Sequence, residues 1–315
     1  MSTPLNAVPG SPLESQGTAA QSVAPAVVSA TRPMYWSVRR ELWENRSIYI
    51  APLVAAAVML FGFLISLIGL PHRMRAALAL DPSKQREALA MPYDMAAGLI
   101  MVTALIVGVF YCLDALHGER RDRSILFWKS LPVSDLTTVL SKASIPLVVL
   151  PLLAFSITVA TQWIMLLLST AVLSASSLNV ATLWTQLSFF QMSLGLFYHL
   201  LTVHVLWHAP IYAWLLLVSA WARRMAFLWA ALPLLAIGVI EKIAFNTSHL
   251  AAILENRLSG GGVEAVTAPG SFPMDPMTHL TPGNFLFSPG LWIGLAVAAA
   301  FLAAAVRLRR YQGPI

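Results

Sequence analysis

His204 and His208 stand four residues apart in an apolar run, so a helix presents both imidazoles on one face. Two rings at that spacing could share a metal ion or pass a proton, and Glu241, in a later apolar run, could add a carboxylate. A metal centre needs more ligands than this, and no thiolate or carboxylate lies at a supporting spacing. The H-x-x-x-H pattern lacks the glutamate of a zinc-protease motif, and no nucleophile elbow is present. Hydrogen bonding between packed helices is the plainer role for these intramembrane polar residues. The single cysteine, Cys112, excludes an internal disulfide and a thiolate cluster. The densest group of charged side chains is elsewhere. Asp114–Lys142 is a polar island with five basic and four acidic residues, set between two membrane-length apolar stretches.

The elements that hold these residues are built for lipid. Apolar residues make up 58% of the 315-residue chain and charged residues 11%, against about 45–50% and about 25% in soluble domains. Six stretches reach the roughly 17–25 apolar residues needed to cross a bilayer: 48–70, 95–113, 145–173, 197–221, 225–245 and 291–306. In the first, thirteen Leu, Ile, Val and Phe residues contribute roughly −4 to −8 kcal/mol to insertion. The predicted fold is therefore all-α and polytopic, a single domain over 33–315. Residues 1–32 read as a disordered tail rich in Ala, Ser and Pro, without the pattern of a signal peptide.

Charge sets the expected orientation. With both termini inside, only Arg73, Arg75, Lys84, Arg86, Lys242 and Arg257 fall outside, leaving 14 of the 20 lysines and arginines inside. Both termini and the polar island are thus expected in the cytoplasm, with the chain in the cell (inner) membrane. No basic stripe on a soluble face suggests nucleic acid as a partner.

Two segments flanking the spans could carry function. Residues 33–46 place Tyr35, Val38 and Leu42 on one helical face, with Arg39, Arg40, Glu41 and Glu44 on the other and Trp36 and Trp43 at the margins. That is an amphipathic helix in the headgroup layer. In the island, Ser124 can cap a short helix carrying Ile125, Leu126, Phe127 and Trp128, which Pro132 stops; Ser134 can cap the next. Exposed apolar side chains on so short a helix need covering by lipid or by another protein.

Arg39-Arg40-Glu41-Leu42-Trp43-Glu44, Gly118-Glu119-Arg120 and Leu131-Pro132-Val133-Ser134 together resemble ABC exporter permeases of the second type. The resemblance implies six spans, an N-terminal elbow helix that includes Arg39, Arg40, Glu41 and Trp43, and a coupling helix between spans two and three. It implies a surface for the ATPase at Gly118, Glu119, Arg120, Arg121, Asp122, Arg123, Ser124, Ile125, Leu126, Phe127, Trp128 and Pro132. Many members carry a glycine shortly after the Glu-Arg pair, where this chain has Asp122-Arg123. The partners implied are an ATP-binding subunit, which would hold ATP and Mg, and a second permease subunit. This chain has no phosphate-binding G-x-x-x-x-G-K-[ST] loop and binds no cofactor on this reading. Two other functions compete. One is a membrane-embedded enzyme acting on a lipid or isoprenoid, centred on His204, His208 and Glu241. The other is a scaffold that moves nothing.

Overall fold

The computed structural model describes residues 31–130, 133–176, 180–258 and 285–315, and among them every regular element is helical. Helix α1, Thr31–Glu44, precedes α2, Ser47–Ser66, which runs through a 3-10 turn into α3, Leu70–Leu78. Helix α4 spans Pro82–Ala115, and the short α5 and α6 follow at His117–Arg121 and Ser124–Ser130. Next, α7, Asp135–Ser144, passes through a wide π turn, Ile145–Val149, into α8, Leu150–Ala175. Helices α9, Ala181–Gln186, and α10, Phe189–His199, lead to a second π segment, Leu200–Trp207, and then α11, Ala209–Trp221. The chain ends with α12, Ala226–Phe245, α13, His249–Leu258, and α14, Pro289–Tyr311.

Six helices are long and apolar enough to cross a membrane, the architecture of a multi-pass membrane protein. Helices α11 and α14 pack most extensively on each other, and α4 joins this pair to a second group that it forms with α2 and α8. Small residues allow the close approach: Ala209 and Ala213 on α11 meet Ala298 on α14. The small-residue stripe Gly290, Gly294 and Ala298 is used within the chain: Gly290 lies against Trp207, Gly294 against Arg257 and Ala298 against α11.

Several boundaries differ from the sequence reading. The elbow-type helix starts at Thr31 rather than Pro33, and residues 1–30 and 259–284 lie outside the described residues. Residues 71–94, expected as a connection, form α3 and the first turns of α4. Their charges interrupt the apolar run, yet Met74, Ala77, Leu89 and Tyr93 recur at helical spacing and are buried. Helix α4, at 34 residues, is about 51 Å long and exceeds a roughly 30 Å hydrocarbon core. Pro146 lies within a π turn and Pro151 at the start of α8, both inside the third span. A proline lacks its N–H and crowds the preceding turn, and the π turn at 145–149 takes up that misfit within a continuous helical run from Asp135 to Ala175.

The fourth span is the largest departure. Instead of one helix over 197–221, it is interrupted at His208, whose N–H reaches back five residues to the Val203 carbonyl at 3.0 Å. Pro210, at the second position of α11, then starts a new helix.

Two turns make local predictions. Ser134 caps α7 as its sequence suggests, its Oγ accepting the Thr137 N–H at 3.1 Å. Ser134→Ala is expected to lower stability by about 1 kcal/mol, measured as a shift in the unfolding midpoint. Arg123, between α5 and α6, has φ 58, the left-handed region that favours glycine. Arg123→Gly is expected to raise stability by up to about 1 kcal/mol, and an unchanged midpoint would mean that this turn carries no strain.

Candidate functional site

At one end of the bundle a group of charges from four distant parts of the chain is closed off from solvent. Lys142 on α7 donates to Glu41 on α1 at 2.8 Å and lies 3.1 Å from Glu119 on α5. Arg309, in the last turns of α14, pairs with the other Glu119 oxygen and sits 3.2 Å from Asp135. Tyr111 on α4 donates its hydroxyl to Glu41 at 2.8 Å. Arg40 stands 3.7 Å from Glu119 and bonds Glu44 at 2.7 Å. Glu41 is 3% exposed and Lys142 2%.

Burying an ion costs several kcal/mol, recovered only when opposite charges and hydrogen bonds surround it. Here Glu41, Glu119 and Asp135 face Lys142, Arg309 and Arg40, with Arg40 shared with Glu44 at the rim, so each buried carboxylate has a cation beside it.

The same end carries a second lock. Arg120 is buried and donates to the carbonyls of Ala220 at 2.6 Å, Ala222 at 3.2 Å and Gly313 at 3.3 Å. The Ser219 hydroxyl accepts the backbone N–H groups of Leu116 and His117 at 3.0 and 2.9 Å. Lys129 on α6 donates to the Gln312 carbonyl at 2.9 Å, and the Ile315 N–H to the Arg120 carbonyl at 3.2 Å.

Above these contacts α6 turns two faces in different directions. Ile125 is buried, whereas Leu126 and Phe127 are 59% and 60% exposed. Trp128 stacks edge-on against Phe127 and lies under the Arg40 guanidinium, 3.3 Å from its ring centre. Between α1, α6 and α7 lies a cleft of about 260 Å³ bordered by Trp36, Arg40, Trp128, Val133 and Thr138.

The structure thus divides the residues expected on one docking surface. Gly118, Glu119 and Arg120 are buried in the two locks, and Ile125 faces inward. Arg121, Asp122 and Arg123 remain exposed, Arg121 bonding Asp122 at 3.1 Å and pairing with Asp114 at 3.6 Å. Ser124 does not cap α6; its hydroxyl donates to the Glu119 carbonyl at 3.4 Å. Pro132 lies outside the described residues. On α1, Glu41 belongs to the buried cluster rather than the polar face, because Lys142 and Tyr111 reach it there. Arg39 stays on the surface between the Trp36 and Trp43 rings, at 5.2 and 5.3 Å. Tyr111, Asp135, Lys142 and Arg309 are the members of the cluster that the sequence reading passed over. Their signal was one charged residue at the end of each apolar run, which alone says nothing about its partner.

The polar residues farther along the chain divide as well. His204 and His208 come together, ring centres 5.4 Å apart, in a column that runs from His199, 5.8 Å from His204, to Tyr212, 6.4 Å from His208. No group of three metal-ligating side chains converges among the described residues. Glu241 serves the start of α13, accepting from the N–H groups of His249 and Leu250 at 2.5 and 3.0 Å and from Thr247 at 2.9 Å. An anion at a helix N-terminus is stabilised by the unpaired N–H groups there, so Glu241 acts as a cap. Farther along α13, Arg257 turns inward over Trp207, where burial holds its guanidinium below the usual arginine range; the group stays protonated all the same.

Comparison with models of protein families, with curated proteins and with solved structures gives no match to this chain.

Proposed function

We propose that this protein is the membrane-spanning permease subunit of an ABC-type exporter, driven by ATP hydrolysed in a separate subunit. On this reading α1 is the elbow helix, α6 is the coupling helix, and their end of the bundle faces the cytoplasm. Two permease subunits, identical or related, enclose the path. The observation that carries the reading is the setting of α6: Leu126 and Phe127 stand exposed on a helix whose flanks are bound into a buried ionic cluster. A short apolar helix on a rigid base can receive a push and pass it on. The cluster joins α1, α5, α7 and α14, so a force on α6 reaches helices at both ends of the sequence.

Nucleotide can shift such a bundle only by favouring one of its states through this contact. The spans are rich in Leu, Ala, Val and aromatic residues, which suits an apolar or amphipathic cargo. The direct test is purification from detergent extracts with the candidate ATP-binding subunit co-expressed. The exporter reading expects a stable complex whose ATPase activity depends on this chain. Reconstituted vesicles that hydrolyse ATP with no movement of cargo would leave only the scaffold.

A further inference from the structure

Arg123, the residue just before α6, is an exposed arginine in a backbone conformation that costs it energy. Its φ of 58 lies in the left-handed region, where a residue with a Cβ is crowded and glycine is not. An outlier of this kind at an exposed turn points to use of the side chain. That side chain is available. Its neighbour Arg121 is spent on Asp122 and Asp114, whereas no carboxylate pairs with Arg123 among the described residues. The undescribed residues next to α6, Leu131 and Pro132, carry no charge, and residues 1–30 hold one carboxylate, Glu14. Residues 259–284 join α13 to the start of α14, the end of that helix opposite Arg309 and Arg310.

Arg123 stands beside the apolar pair of α6. The Leu126 N–H bonds the Arg123 carbonyl at 3.2 Å. Exposed Leu126 and Phe127 follow Arg123 at the i+3 and i+4 positions, which are neighbours on a helical surface. Further cations border the same two short helices. The Arg310 carbonyl lies 3.4 Å from Lys129 Nζ on α6, and Arg223 is close enough to Arg120 on α5 to repel its charge. Arg310 and Arg223 are both exposed, and neither pairs with a carboxylate among the described residues. Helix α6 is seated on helix ends: Arg120 holds carbonyls at the end of α11, and Lys129 holds those at the end of α14. Its outer face therefore turns away from the flanks that meet lipid. An apolar pair bordered by unpaired cations at the end of a bundle suits a soluble surface of opposite charge.

We propose that Arg123, with Arg310 and Arg223 beside it, receives a carboxylate-bearing face of the ATP-binding subunit, whose apolar socket takes Leu126 and Phe127. The proposal rests on the exporter reading of α6 and adds the chemistry of the partner, an acidic rim around an apolar centre. Arg123 then trades stability of its own turn for recognition, as strained residues at binding sites do.

The test measures the affinity of the full chain, in mild detergent, for the co-expressed candidate ATP-binding subunit at two salt concentrations. Raising NaCl from about 0.1 M to about 1 M shortens the Debye length from about 10 Å to about 3 Å, and the affinity is expected to fall about ten-fold. Arg123→Gly should bind about five-fold more weakly than wild type at the lower salt and equally at the higher, while melting no earlier. Arg123→Lys should keep most of the affinity and Arg310→Gln should lose part of it. Arg75→Gln, which removes an exposed cation on α3, should change nothing. A complex that ignores salt, or that binds folded Arg123→Gly as tightly as wild type, overturns the proposal and leaves the exporter reading standing. No complex at either salt overturns both. Hydrogen exchange of the α5–α6 amides in lipid nanodiscs, without partner, tests the membrane as the ligand. Protection that rises when phosphatidylcholine is replaced by phosphatidylglycerol overturns the proposal in favour of anionic lipid. Should Arg123→Gly not fold, the salt series and Arg310→Gln decide the matter.

Discussion

Lys142→Met is expected to destabilise the protein by roughly 3–5 kcal/mol, the largest effect of any single change considered. Among the described residues Lys142 is the only cation that bonds Glu41, and it also lies against Glu119. Removing it leaves two buried carboxylates facing one another with a surplus negative charge. Methionine keeps most of the volume, so lost packing is a minor part of the effect. Cys112 offers a convenient readout, since the chain's single thiol is fully buried and reacts with a dye only when the bundle opens. A second substitution separates charge from structure. Glu41→Gln in the Lys142→Met background removes the surplus charge while Arg309 continues to hold Glu119, so the double variant should be more stable than Lys142→Met alone. If Lys142→Met melts with wild-type protein, the cluster contributes nothing to stability.

If the exporter proposal holds, Leu126→Ala with Phe127→Ala is expected to weaken binding of the proposed ATP-binding subunit by about 2 kcal/mol or more, roughly thirty-fold in affinity. The sequence alone directs attention to Phe127 and Trp128. The structure makes Leu126 the better partner for Phe127, because Trp128 also packs under Arg40 and its removal would disturb the cleft beside α1. Leu126 and Phe127 make their largest contact with solvent, so their loss should leave the Cys112 melting midpoint within about 0.5 kcal/mol of wild type. A complex that forms with undiminished affinity would remove α6 as the contact, while leaving the fold intact.

Arg123, at the turn between α5 and α6, occupies the left-handed conformation that glycine adopts at least cost. The sequence treats 197–221 as one crossing, and the break at His208 comes from the π segment and Pro210 acting together.

What the sequence determined by itself was each element that satisfies its needs locally. A helix in lipid closes its backbone hydrogen bonds within its own segment, so the length of an apolar run suffices to announce it. The amphipathic α1 and the Ser134 cap of α7 were legible for the same reason. Tertiary structure alone decided which charges are buried. Glu41, Glu119, Asp135, Lys142 and Arg309 look alike on paper, as polar residues flanking spans. Only the meeting of α1, α5, α7 and α14 turns them from solvated ends into one charge-paired, largely buried cluster, because an ion leaves water only where its counter-ion is already waiting.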